Sequence, residues 1–312
     1  MAPLVSKTDK RKTGSIRLSS VVWVSLIAAL QWFPAPVHAQ PAPLPPPPAG
    51  WKLVWSDEFD HDGLPDKTKW DYEEGFVRNH EQQYYTRARP ENARVENGLL
   101  IIEGRKELFE NPKYDPAAKS QEPGKNPKQA NYTSASLVTL NKASWQFGRI
   151  EVRAKLPQGK GVWPAIWTLG ANFPSVSWPA CGEIDIMEFV GHQPGVVHAT
   201  LHYSKNGKHK SNGKPLKVDA LDTDFHVYSL DWSADKLDIA FDGKVYQTLP
   251  VKDADEAGQN PYLKPHYVLL NLALGGTWGG SIDDAILPQK FLIDYVRVYQ
   301  RSEVPDSIQK AK

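Results

Sequence analysis

The sequence predicts an all-β fold, a two-sheet antiparallel β-sandwich with one concave face. Three observations carry this expectation: apolar residues recur in short runs with period two, Asn-Gly and Asp-Gly pairs stand between such runs, and no stretch sustains a 3.6-residue apolar repeat. In Arg149–Lys155 the side chains of Ile150, Val152 and Ala154 share one face, the pattern of a half-buried strand. Val95–Ile102 and Leu237–Tyr246 read as hairpins turned at Asn97-Gly98 and Asp242-Gly243, the pairs best suited to a type I′ turn. Further strands are expected at Phe225–Trp232, Tyr267–Leu274 and Phe291–Tyr299, with at most one short helix. Phe109–Ala130, rich in Lys, Pro, Asn and Gln, reads as a long surface loop. About 250 residues of antiparallel strand in one unit suit a sandwich whose concave face can hold a polymer.

Upstream of these strands, Lys7, Lys10, Arg11, Lys12 and Arg17 precede an apolar run from Val21 to Leu30 that is too short to span a bilayer comfortably. Val37-His38-Ala39 then supplies small residues where a signal peptidase reads, so residues 1–39 are expected to be a signal peptide cleaved after Ala39. The alternative is an uncleaved N-terminal anchor. Residues 40–50 are dominated by Pro and suit an extended spacer, 51–301 the folded domain, and 302–312 a C-terminal tail. The expected location is secreted or periplasmic, with no stable membrane insertion after cleavage, and the expected assembly is a monomer.

Composition narrows the partners. Lys plus Arg total 37 against 36 for Asp plus Glu, which leaves no field of the kind that draws a protein onto nucleic acid or acidic lipid. A neutral substrate fits that balance. The 11 Trp supply flat amphipathic rings suited to sugar faces as well as to a core. A single Cys, Cys181, excludes an internal disulfide, and with no base arranged to activate it, it reads as a small buried filler.

The chemistry concentrates in Gly182–Phe189, where Glu183, Asp185 and Glu188 interleave with large apolar residues. Glu183 and Asp185 are two apart and share a face, whereas Glu188 is three beyond Asp185 and in a regular strand would point into the core. An isolated buried carboxylate is expensive. A β-bulge at Ile186-Met187 returns Glu188 to the face of the other two, and bulges are frequent beside active sites. Glycoside hydrolysis needs such a set, one carboxylate to attack the anomeric carbon and one carboxylic acid to protonate the leaving oxygen. Like charges push neighbouring pKa values apart, so Glu183 is expected to be the ionised nucleophile and Glu188 the protonated acid, with Asp185 hydrogen-bonded between them. The competing reading is an exposed acidic strand or a calcium site.

These residues resemble the active-site strand of glycoside hydrolase family 16, in particular its bacterial laminarinase-like endo-β-1,3-glucanases. Leu53–Phe59, Glu81–Tyr85, Gly161–Trp167 and Ile293–Tyr299 extend the resemblance over most of Trp51–Gln300. It implies a concanavalin-like β-jelly roll, a substrate cleft on its concave sheet, a β-glucan polysaccharide substrate and catalysis without a cofactor. Ser136 departs from it, since many relatives carry Arg there.

Around the acids, Trp163 and Trp167 lie four apart in a strand-like run and are expected to form a stacking platform for successive sugars, in keeping with the resemblance. Trp178, on the loop before the acids, and Trp278, among glycines that would let a loop approach the sugar, are further candidates. His198 and His202 are also four apart on the next expected strand, and His202 matches a family cleft histidine. A zinc site there lacks further ligands at suitable spacing. Asn79 and Arg105 are candidate contacts to sugar hydroxyls. Glu58, Asp294 and the carbonyl of Gly98 resemble a structural calcium site that many family members carry on the convex face. The runner-up substrate is mixed-linkage β-1,3-1,4-glucan, against which the extra Met187 argues. Agar and carrageenan rank lower, and a non-catalytic glucan-binding module would not need the acids.

Overall fold

In a computed structural model the structure describes residues 47–117 and 127–302. All of these belong to one compact unit. The expected signal peptide and its cleavage point after Ala39, and most of the spacer and the tail, lie outside the described residues.

The alternating runs form strands that pair into two sheets. Seven strands make the first, in the order Lys208–Lys217, Val196–Lys205, Glu183–Phe189, Val162–Gly170, His266–Leu274, Ser136–Val138 and Asp71–Tyr72, antiparallel throughout. The second has ten strands, built around the long Gln289–Arg301, with Gly148–Lys155 on one side and Leu99–Glu110 on the other. Trp51–Asp57 also pairs with Gln289–Arg301, which ties the first described strand to the last. One pairing in this sheet is parallel, Gln83–Tyr85 with Gln129–Ser134.

Gly148–Lys155 buries alternate residues, with Ile150, Val152 and Ala154 inward. Both expected hairpins are present, and Asn97, Gly98, Asp242 and Gly243 all take positive φ, between 46° and 76°, as a type I′ turn requires. The inner faces of the two sheets interdigitate through Leu100, Ile102, Val152, Ile166, Ile184, Phe189, Leu270 and Ile293, all essentially inaccessible. Burying such a surface is the main force holding the sheets together.

Two expectations shift. The segment Phe109–Ala130 is not loop from end to end, because the flanking strands run on to Glu110 and resume at Gln129; Phe109 packs on Tyr84 and Ala130 is buried, and this contact extends the pairing. Regular α-helix is confined, among the described residues, to the single turn Gly276–Gly279 beside three short 3₁₀ turns.

Candidate active site

The strand Glu183–Phe189 lies near the middle of the seven-stranded sheet, between Val162–Gly170 and Val196–Lys205. Its register slips against both neighbours between Asp185 and Glu188. Ile184, Ile186, Met187 and Phe189 all enter the inter-sheet core, so two consecutive residues, Ile186 and Met187, face inward. That is the bulge the acid spacing demanded. Glu183, Asp185 and Glu188 consequently share the outer, concave face and line one groove with a volume of about 610 Å³.

Two aromatic groups border the acids. At one end the indole N–H of Trp163 donates to Glu188 Oε1 at 3.1 Å, and Trp278 meets Trp163 edge-on at 5.5 Å. At the other, His202 Nε2 lies 3.2 Å from Asp185 Oδ2 and 4.0 Å from Glu183 Oε1. Trp178, 42% exposed, leans against His202 and His209. Across the groove the loop from Glu73 to Glu81 contributes Arg78, whose guanidinium covers the Trp167 ring at 4.9 Å from its centre.

Burial raises the pKa of all three acids, but the surroundings then separate them. Glu188 stands well above the usual carboxylate range, through burial and then the charges of Asp185 and Glu183, with only partial relief from the Trp163 N–H and His202. Asp185 is likewise driven well up, by burial and by Glu183. Glu183 is raised by burial too, yet His202, Arg78, a hydrogen bond from Trp178 and one from Asp185 all favour its ionised form. Groups that favour the ionised form therefore gather on Glu183 more than on Glu188 or Asp185.

Several expected site residues land elsewhere or act differently. Trp163 and Trp167 do share the groove face, but they are only 8% and 6% exposed, and Arg78 occupies the face of Trp167. Trp167 instead donates its N–H to Asn271 Oδ1 at 2.7 Å, which makes it part of a polar floor. His198 is displaced from the groove by Trp278, which packs on it at 4.8 Å, and it hydrogen-bonds Gln193. The glycines beside Trp278 let the chain approach its own backbone, since a Cβ on Gly276 would lie 2.9 Å from the carbonyl oxygen of Asn79. Asn79 does line the groove. Arg105 does not: it sits in the other sheet, where Glu103 binds its guanidinium. Cys181 is fully buried among Ala165, Trp167 and Tyr267, and burial pushes its thiol up to about 11, as suits a filler.

The calcium donor set does not fit. Glu58 is held by both nitrogens of an Arg297 fork at 2.8 and 3.0 Å, and Asp294 by Arg153 at 2.6 Å, so each carboxylate is already neutralised by a guanidinium. Among the described residues, the acids and histidines close enough to share an ion are Glu183, Asp185 and His202, the groups the chemistry itself would use.

Glu73, Arg78, Asn271 and His209, which the sequence reading passed over, complete the groove. Ser136, buried, donates to Glu73 Oε2 at 2.6 Å, and Glu73 also binds Arg78, so a guanidinium reaches this carboxylate from the loop rather than from the strand of Ser136. Asn271 was legible as a lone amide in the apolar run Leu269–Leu274; it receives the Trp167 N–H and donates to Tyr85 Oη at 3.0 Å. Arg78 and His209 carried no such signal.

A family model for "Glycosyl hydrolases family 16" matches residues 80–297. The β-glucanase of Rhodothermus marinus is 44% identical over 263 residues, which cover 80% of this chain and 85% of that protein. The structure of the laminarinase from Rhodothermus marinus aligns with a TM-score of 0.69 and 43% identity over 81% of this chain and 98% of that one. A structure described with the endo-acting O-glycanases that prominent members of the human gut microbiota express to initiate mucin breakdown aligns with a TM-score of 0.78 and 40% identity, covering 86% of this chain and 98% of the other. With a family model spanning most of the chain and the three acids gathered on the concave sheet, this protein belongs to glycosyl hydrolase family 16.

Proposed function

We propose that this protein is a secreted endo-hydrolase of β-1,3-glucan that works with retention of configuration. The observation that carries the reading is the bulged strand, because it sets three carboxylates side by side in one groove of about 610 Å³ lined by Trp163, Trp178 and Trp278. Glu183 attacks the anomeric carbon while Glu188 gives its proton to the departing glycosidic oxygen, leaving a glycosyl ester on Glu183. Glu188, now ionised, takes a proton from water as that water attacks the same carbon and frees Glu183. Asp185 is placed to hydrogen-bond Glu183 and to favour its ionised form. The reaction consumes water alone and calls on no cofactor. The glucan assignment rests on the relatives named β-glucanase and laminarinase. Export is supported by the basic and apolar N-terminal segment, and no helix among the described residues is long and apolar enough to cross a membrane.

A second reading, endo-hydrolysis of mucin-type O-glycans by the same acids, is favoured by one observation, the higher TM-score against the O-glycanase-associated structure. The acids read the anomeric centre, and the walls around Arg78, Trp178 and Trp278 read the sugar. Product analysis on laminarin, barley β-glucan and mucin O-glycans separates these readings. Laminari-oligosaccharides released in the β-configuration support the first; cleavage of O-glycans alone replaces the substrate and keeps the mechanism, and α-configured product ends the retaining assignment.

A further inference from the structure

His209 belongs to none of the motifs that carry the family resemblance. It sits on the edge strand Lys208–Lys217, which pairs with the strand of His202. In that ladder Ser211 is opposite His202, and His209, two residues further on, shares the groove face with Ser211. Its Nε2 is 2.8 Å from His202 Nδ1, and the two rings stack at 5.1 Å with planes 18° apart. Trp178 packs on His209 at 4.6 Å, and both residues line the groove.

A neutral imidazole carries one N–H, and a contact between two ring nitrogens needs one proton between them. If His202 Nδ1 supplied it, His202 Nε2 would turn a lone pair toward Asp185 Oδ2, 3.2 Å away. If His209 Nε2 supplies it, His202 carries its proton on Nε2 and turns that N–H toward the oxygen. Asp185 Oδ2 is buried and meets no hydrogen-bonding partner, so the 3.2 Å approach of His202 Nε2 is an electrostatic contact, attractive in the second arrangement and repulsive in the first. Asp185 in turn hydrogen-bonds Glu183.

We propose that His209 is a positioning residue: its Nε2–H fixes His202 as the Nε2–H tautomer, which turns a proton toward Asp185 and so sets the polarity of the groups beside the nucleophile Glu183. His209 touches no reacting atom in this scheme. The role rests on the assignment of Glu183 as nucleophile, and the proposal deepens that assignment.

Two variants of the full chain test it. His209→Gln keeps an N–H donor on a side chain of similar reach, and His209→Phe keeps the stacked ring without the donor. We expect His209→Phe to lower kcat about 3- to 10-fold on laminari-oligosaccharides with KM nearly unchanged, and His209→Gln to recover most of the loss. Nitrogen NMR of ¹⁵N-histidine-labelled protein should show His202 as the Nε2–H tautomer in the unmodified chain and as a mixture in His209→Phe. An unchanged tautomer together with unchanged kcat in His209→Phe overturns the proposal, as does an equal loss in both variants or a change in KM alone. The NMR arm needs no substrate. If the unmodified protein does not cleave laminari-oligosaccharides, the glucan reading fails, and the tautomer measurement still decides the role of His209.

Discussion

Acids are treated differently on the two sheets. In the ten-stranded sheet and its edge, Glu58 faces Arg297, Asp294 faces Arg153, and Glu151 faces Arg149, each within 3.0 Å. On the concave sheet, Glu183, Asp185 and Glu188 crowd together with the His202 imidazole beside them, and among the described residues no guanidinium is ion-paired to any of the three. A paired carboxylate is held in one charge state, which serves a scaffold. The crowded acids keep raised pKa values and can exchange protons, which serves a reaction.

The largest expected effect comes from removing the acids. Glu183→Ala and Glu188→Ala should each lower kcat on laminarin about 10³- to 10⁵-fold. Azide should distinguish them on an activated β-glycoside. With Glu183→Ala it attacks directly and yields the α-glycosyl azide, whereas with Glu188→Ala it intercepts the glycosyl-enzyme and yields the β-product. Proton NMR of the anomeric signal reads the outcome, and the reverse pairing would exchange the two roles.

Next in size is Trp163→Phe, which keeps the packing and removes the N–H that Glu188 accepts. That donor favours ionised Glu188, so without it the pKa rises further and the acid stays protonated to higher pH. A pH profile of kcat/KM should show the alkaline limb moved upward and the plateau lowered about 3- to 30-fold. A limb that stays in place would detach Glu188 from this limb.

On the scaffold side, Arg297→Met leaves Glu58 without its fork. Unfolding should cost about 1–3 kcal/mol less, with kcat unchanged, by thermal melting and a laminarin assay. A smaller effect of opposite sign is expected for Glu188→Gln. Because the folded state raises this pKa, the ionised carboxylate opposes folding, and the penalty begins above the unfolded carboxylate pKa and grows until pH passes the folded value. Near neutral pH the amide should therefore raise Tm, by about 2–4 °C for each kcal/mol recovered, and the gain should vanish at acid pH. A gain in Tm from Glu188→Gln alongside a loss from Arg297→Met would establish the contrast between the sheets; the same sign in both would remove it.

Much of the fold and the centre of the site could be read along the chain, because period-two burial, type I′ hairpins and an acid displaced by one residue are local patterns. The spacing Glu183, Asp185, Glu188 required a bulge, and strand geometry allows few others. Contacts between distant segments were not readable in this way. Arg78 covers Trp167 from a loop, Asn271 reaches Tyr85 across 186 residues, and Arg297 claims Glu58 across 239. Such partners depend on which strands become neighbours and in what register. That is why Trp167 became a floor donor, Arg105 a scaffold pair and Glu58 a partner of Arg297, and why His209 became visible only once its strand was laid beside that of His202. Local alternation determines which face of a strand is buried, but the inter-strand register, set by the packing of the whole sandwich, decides which side chains meet on it.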